Sequence, residues 1–367
     1  MKREEKHKSA LSVSKGVDQP PMVNPDSIGT FKTVRRDRIP LSRYVEGIVE
    51  GNVTILSQAI TLIESSLPQH QELAMELVDS CLPHSGRSLR IGITGVPGVG
   101  KSSFIESFGK MIICGGHRLA VLAVDPSSNV SKGSILGDKT RMEELSANPS
   151  AFIRPSPSGG SLGGVAKKTR ESIILCEAAG YDTIIVETVG VGQSETAVHS
   201  MVDFFLLLML AGAGDELQGI KRGIMEMADA IAITKADGNN VGRASTAMSQ
   251  YRSALQLFPP PASGWEPRVL TCSSVTGEGL AGINDTIREY SELANRSGYF
   301  DVKRREQALY WMHESIERQL KDGFYNDPEI SVEIKKLSND VISGKMSSFM
   351  AAKILLESYL GRSTEIK

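Results

Sequence analysis

An α/β architecture, a mostly parallel sheet with helices on both faces, is the fold class this sequence predicts. Three observations predict it. The eight residues Gly95-Val-Pro-Gly-Val-Gly-Lys-Ser102 stand directly behind the apolar run Leu89–Thr94 and ahead of a helical pattern from Ser102 to Cys114. Short, nearly continuous apolar runs then alternate with helical stretches from Arg87 to about Arg296, as βαβ units do in a parallel sheet. On either side, at 41–86 and 297–367, only helical periodicity is found.

Taken in order, residues 1–40 are polar and charged, beginning Met-Lys-Arg-Glu-Glu-Lys-His-Lys, and read as a flexible tail. They contain no apolar h-region of a secretory leader, and Glu4 and Glu5 are out of place in an acid-poor presequence. In 41–86, Leu56, Ile60 and Ile63 fall at helical spacing, and Leu73, Leu77 and Val78 continue it on a second segment. The strands expected in the central domain, 87–296, are Leu89–Thr94, Leu119–Val124, Thr183–Glu187, Phe204–Leu210, Ala230–Thr234 and Val269–Cys272. Their apolar character on both faces suits strands covered from both sides. From 297 to the end, Ala308, Leu309, Met312, Ile316 and Leu320 form one helical stripe. Ile330, Ile334, Leu337, Val341, Phe349, Ile354 and Leu355 form another. These helices either pack on the chain's own domain or make an arm for self-association.

The bulk properties exclude several functions. At 367 residues, 40% hydrophobic and with a formal net charge of −2, the chain can bury an α/β core and has no excess of positive charge for a nucleic-acid surface. No apolar run approaches the roughly 18–20 residues of a membrane span. The four cysteines lie far apart in or beside apolar segments, as reduced core thiols of a cytoplasmic protein do, and form neither a disulfide framework nor a metal site.

The first motif is a complete phosphate-binding loop, G-x-x-x-x-G-K-S. Its backbone, Gly95, Val96, Pro97, Gly98, Val99 and Gly100, is suited to wrapping N–H groups around an anion. Lys101 supplies charge for the β- and γ-phosphates, the Ser102 hydroxyl suits Mg²⁺, and Ser103 follows at the positive end of the helix. The domain therefore reads as a P-loop NTPase.

The base is read elsewhere. Ala230-Ile-Ala-Ile-Thr234 runs into Thr234-Lys-Ala-Asp237, a T-K-x-D form of the guanine motif N-K-x-D. The Asp237 carboxylate can accept from both N1–H and the 2-amino group of guanine, a donor pair that adenine does not present. The Lys235 stem can cover one face of the base, and the Thr234 hydroxyl can replace the usual Asn in tying this loop to the phosphate loop. Thr271-Cys-Ser-Ser-Val-Thr-Gly-Glu-Gly279 reads either as a second base loop, with the amides of Ser273, Ser274 and Val275 near O6, or as an ordinary Ser/Gly turn.

Asp125 and Glu187 end strands at the edge where nucleotide binds in such sheets. With Ser102 they are candidate Mg²⁺ ligands, and Asp138 is a further one. Glu187-Thr-Val-Gly190 is a D-x-x-G-like switch in which the Gly190 amide can meet the γ-phosphate, so Lys101, Glu187 and Gly190 are the expected catalytic set. No Gln directly follows Gly190 to orient water, and Gln193 comes three residues later, so slow turnover and help from a partner are expected. The Gly-rich segment 212–219 reads as another switch or as a plain crossover.

Seven segments occur together in one order: the phosphate loop, Val124-Asp-Pro-Ser-Ser128, Leu136-Gly-Asp-Lys-Thr-Arg-Met142, Arg154-Pro-Ser-Pro-Ser158, Leu162-Gly-Gly-Val-Ala166, Val186-Glu-Thr-Val-Gly-Val-Gly-Gln-Ser-Glu195 and Gly223-Ile-Met-Glu-Met-Ala228. Over about residues 40–360 the chain closely resembles the methylmalonyl-CoA mutase-associated GTPases of the MeaB/ArgK type. That resemblance implies a homodimeric GTPase using GTP and Mg²⁺, with the C-terminal helices as dimerisation arm and three switch loops; a bacterial cytoplasm is the expected location, or a mitochondrial matrix were the tail cleaved. It also implies a chaperone of an adenosylcobalamin-dependent methylmalonyl-CoA mutase or related acyl-CoA mutase. In its terms the metal ligands fall on Ser102, Asp125, Asp138 and Glu187, and the base contacts on Asp237 and Ser273 to Val275. Departures are small: Ser274 stands where Ala is more usual, and Ser103 where Thr is common.

Rival readings are a P-loop kinase, which has no use for Asp237, and a metallocentre-maturation GTPase, which needs a His/Cys cluster where this chain has dispersed residues. A protein that holds GTP only as a structural ligand is a third, set against the intact Lys101, Ser102 and Glu187.

Overall fold

The computed structural model describes residues 39–124, 142–155, 162–188, 194–212 and 222–365. Three helices come first: α1 (Leu41–Val49), α2 (Val53–Glu64) and α3 (Pro68–Cys81). Asn52 starts α2 by accepting the amides of Thr54 and Ile55 on its side chain, and Pro68 opens α3 where no helical N–H is needed. The α/β part runs β1 (Leu89–Gly95), α4 (Lys101–Cys114), β2 (Leu119–Val124), α5 (Glu143–Ser146), β3 (Ala151–Arg154), α6 (Leu162–Ala178), β4 (Thr183–Thr188), α7 (Ser194–His199), β5 (Phe204–Leu210), α8 (Arg222–Glu226), β6 (Ala230–Thr234), α9 (Val241–Leu255), β7 (Arg268–Thr271) and α10 (Leu280–Arg296). The chain ends in α11 (Tyr299–Asn326), α12 (Pro328–Ile342) and α13 (Ser348–Glu365).

The sheet has seven strands in the order β3-β2-β4-β1-β5-β6-β7, and every pairing is parallel. All six expected strands are present. The seventh, β3, is a four-residue edge strand ahead of Pro155, too short to show a period. Alternation along the strands explains why both faces are apolar. On β5, Phe204, Leu206 and Leu208 enter one core cluster with Phe104, Phe108 and Ile283, whereas Leu207 and Met209 enter the other with Ala244 and Tyr251. Helices α4 and α10 thus cover one face, and α9 the other.

Glu64 ties the N-terminal helices to the sheet. It accepts the Arg154 guanidinium on β3 as an ion pair, and its carbonyl accepts from Lys168 on α6. At the amino ends of β1 and β5, a buried network holds α11. The Asp203 carboxylate, fully buried, accepts the Arg90 amide at 2.9 Å and both arms of Arg304 at 2.9 and 2.7 Å. Arg90 in turn forks onto Glu177 at 2.8 and 3.0 Å. Lys303, Gln307 and Trp311, spaced i, i+4, i+8 on one face of α11, donate to the carbonyls of Asp203, Val202 and Ser200.

The stripe expected to be the apolar face of α11 is not the buried one. Leu309, Met312, Ile316 and Leu320 are about half exposed, at 48–62%. The four cysteines are unpaired; Cys81, Cys176 and Cys272 are buried, while Cys114 is exposed at the end of α4. Among the described residues no helix is long and apolar enough to cross a membrane.

Candidate nucleotide site

The carboxyl ends of β1, β4, β6 and β7 converge beside the start of α4. Gly95 ends β1 against β5, where an added Cβ would stand 2.5 Å from the Leu208 carbonyl oxygen, so strand pairing itself requires glycine there. Gly100 caps α4 at a φ of 90°, left-handed backbone that side-chain-bearing residues rarely adopt. Between these two fixed points the loop is drawn into a cradle, and Lys101 closes it by donating its ammonium to the Gly95 carbonyl at 2.7 Å. Burial lowers the Lys101 pKa, while the charges of Glu187 and Glu195 pull it back up. Both carboxylates are buried, so the lysine lies in a field that they shape.

The base loop is bound to the phosphate loop directly. The Thr234 hydroxyl donates to the Val99 carbonyl at 2.8 Å and also lies 3.2 Å from the Met209 carbonyl. Lys235 adopts a left-handed φ of 55°, held by the Asn240 side-chain amide on its carbonyl at 2.7 Å. Its ammonium reaches back to the Gly98 carbonyl at 2.9 Å. The two loops therefore act as one body.

Asp237 is half-buried and takes the Ser273 hydroxyl on Oδ2 at 2.5 Å. The same Ser273 oxygen accepts the amides of Val275 and Thr276, each at 3.2 Å. The strand-end contacts Ala236 N to Cys272 O and Cys272 N to Ile233 O join the turns at 3.0 and 2.9 Å. Ser273 thus fixes the rotamer of the Asp237 carboxylate and ties the 271–279 turn to it.

Of the expected residues, Gly95 to Ser103 run from the end of β1 through the phosphate loop into the first turn of α4, Lys235, Asp237 and Ser273 to Val275 lie on the joined turns, and Glu187 lies at the end of β4. Asp125, Asp138 and Gly190 lie outside the described residues, as does 213–219. Sequence reasoning gave no site role to Glu195, whose only sequence signal is its place at the end of the Val186–Glu195 segment. It also missed Thr188, whose hydroxyl meets that of Thr94 at 2.7 Å and couples the ends of β4 and β1. A cavity of 1110 Å³ lined by Leu255, Phe258, Trp265 and Arg268 lies at the start of β7 and includes none of these residues.

The family described as "Methylmalonyl Co-A mutase-associated GTPase MeaB" matches residues 56–329. The chain belongs to this family. It is 44% identical over 319 residues to the "GTPase ArgK" of Escherichia coli, a match covering 84% of this chain and 96% of that one. It is also 46% identical over 332 residues to the mouse "Methylmalonic aciduria type A homolog, mitochondrial", covering 88% and 80%. Among solved structures, the "LAO/AO transport system kinase" superposes with a TM-score of 0.70 at 37% identity, covering 87% of this chain and 97% of that chain. The MeaB-family chain is accordingly a P-loop GTPase. Its parallel sheet, phosphate loop and guanine motif suit that activity.

Proposed function

We propose that this GTPase is a chaperone of an adenosylcobalamin-dependent methylmalonyl-CoA mutase or a related acyl-CoA mutase, gating cofactor loading and protecting the mutase in turnover. What carries the reading is the joining of base and phosphate loops through Thr234 and Lys235 within a chain of the mutase-associated family. A ligand held by both turns is sensed as one object. Loss of its γ-phosphate then alters the surroundings of Lys101, Glu187 and Glu195 together.

In hydrolysis Lys101 and the loop amides neutralise charge on the phosphate oxygens. Ser102 and Glu187 offer hard hydroxyl and carboxylate oxygens, the donor chemistry Mg²⁺ takes, with Asp125 and Asp138 as the further ligands of this proposal. The ion would supply charge neutralisation between the β- and γ-phosphates. Asp237 and the amides of the 273–275 turn read the guanine.

The C-terminal helices are the dimerisation arm in this reading, supported by the exposed stripe Leu309, Met312, Ile316 and Leu320 and by exposed Phe349, Leu356 and Leu360 on α13. A cytoplasmic place beside the mutase belongs to the same proposal. The test is co-purification of the full chain with methylmalonyl-CoA mutase in the presence of a non-hydrolysable GTP analogue or GDP, together with single-turnover hydrolysis with and without mutase. Nucleotide-dependent association and faster GDP formation are expected; association indifferent to nucleotide, or none, would overturn it. Phosphoryl transfer to a small acceptor is a second reading, favoured by the word "kinase" in the name of the superposed protein. Preference for ATP over GTP would support it.

A further inference from the structure

The phosphate-loop helix touches the base loop through a residue that belongs to neither motif. Ser107 on α4 donates its hydroxyl to the Ser274 carbonyl at 2.7 Å. Helix α4 is rigidly seated, with Phe104, Ile105 and Phe108 fully buried on either side of Ser107. A bond from it therefore references the base loop to the phosphate loop.

The hydrogen bonds of the turn show which amide this bond serves. Ser273 N–H is spent on the Glu278 carbonyl at 2.9 Å, and Val275 N–H on the Ser273 hydroxyl. Of the three amides expected near O6, only that of Ser274 has no partner among the described groups. The Ser273 carbonyl accepts the Gly277 amide at 3.0 Å, and in a trans peptide the Ser274 N–H points to the opposite side. The next peptide, Ser274 to Val275, is pinned at both ends: its carbonyl by Ser107 and its N–H by Ser273. The Ser274 amide is thus a single directed donor between two restrained peptide planes.

We propose that Ser107 is a positioning residue for purine specificity, holding the Ser274 amide where it donates to a 6-oxo group and opposes a 6-amino group. The inference rests on the reading that Asp237 and the 273–275 turn contact the base. An N–H donor facing O6 gains a bond, whereas facing the adenine amine it leaves two donors opposed and both desolvated, which is the stronger discriminator.

The experiment compares the full-length wild type, Ser107→Ala and Ser107→Thr in equilibrium binding of GDP, 6-thio-GDP, IDP and pyrophosphate. The 6-thio base keeps the N1–H and 2-amino groups that face Asp237 and replaces O6 by sulfur, a weak acceptor. Wild type should prefer GDP to both 6-thio-GDP and IDP. Ser107→Ala should weaken GDP by about three- to tenfold, the worth of one neutral hydrogen bond, and leave 6-thio-GDP nearly unchanged, so that preference contracts. The GDP-to-IDP ratio, which reports Asp237 on the 2-amino group, and pyrophosphate binding should hold, and Ser107→Thr should restore the wild-type pattern. Equal weakening of all four ligands would show a merely structural role and overturn the proposal, as would an unaltered GDP-to-6-thio-GDP ratio in Ser107→Ala. A wild type that prefers GDP to neither analogue would instead remove the base reading itself, and the role of Ser107 with it.

Discussion

Thr234 occupies a position where a longer side-chain amide is usual, and the structure shows the hydroxyl performing that task with the Val99 carbonyl at 2.8 Å and the Met209 carbonyl within reach. The residue is only 2% exposed, so neither carbonyl has water as a substitute. Thr234→Val keeps the shape and removes the donor; it should cost about 1–3 kcal/mol in denaturant unfolding and weaken GDP binding as the loops separate. Unchanged affinity would mean that the loops hold together without this bond. Lys101→Ala should lower single-turnover GTP hydrolysis by at least about a hundredfold, because its charge sits where charge develops. Wild-type turnover in that variant would refute the role. Both residues were legible in the sequence, since each stands at a fixed offset in a motif whose chemistry dictates its type. Glu195 and Ser107 were not, because each acts through a neighbour distant in the chain.

Among the elements, α11 is the instructive one. Its sequence shows an apolar stripe, yet the face turned to the domain carries Lys303, Gln307 and Trp311, whose donors satisfy three carbonyls of the 200–203 segment. Those carbonyls lie outside the sheet ladder and need partners when buried, which a hydrophobic face does not supply. Hydrophobic periodicity therefore marks the surface this helix leaves uncovered in the single chain. At the same junction His199 stacks edge-on to Phe205, and burial, with the Lys303 charge, pushes its imidazole down to about 4. The unfolded chain takes up this proton near pH 6.5, the folded one only near 4. Between those values the unfolded state holds more protons, so the contribution of His199 is present above about pH 6.5 and is lost as pH falls through about 4. His199→Gln should flatten this acid limb, read as urea midpoints at pH 7 and pH 5; an equal drop in both proteins would contradict the assignment.

For the whole molecule, the Asp203–Arg304 pair binds α11 to the sheet at the edge away from the phosphate loop, and the Arg90–Glu177 pair beside it joins β1 to α6. Removing one partner strands the fully buried Asp203, so Arg304→Ala should destabilise by about 3–5 kcal/mol in chemical unfolding. A loss below about 1 kcal/mol would mean that the Arg90 backbone amide suffices. Replacing exposed Ile316 and Leu320 together by Asp should leave the fold intact and yield a monomer by light scattering. A dimer unaffected by both changes would move the interface elsewhere.

Local chemistry by itself determined the parallel α/β class, six of seven strands, the phosphate loop and the T-K-x-D turn whose carboxylate is proposed to read guanine. Each is written in contiguous residues whose spacing answers to a backbone or ligand requirement. Only the tertiary structure decided which amide of the base turn stays available, which face of α11 is buried, and which carboxylates set the field at Lys101. Those depend on groups brought together from up to a hundred or more positions apart, and a periodic pattern cannot say whether an apolar stripe meets its own domain or is left for another surface.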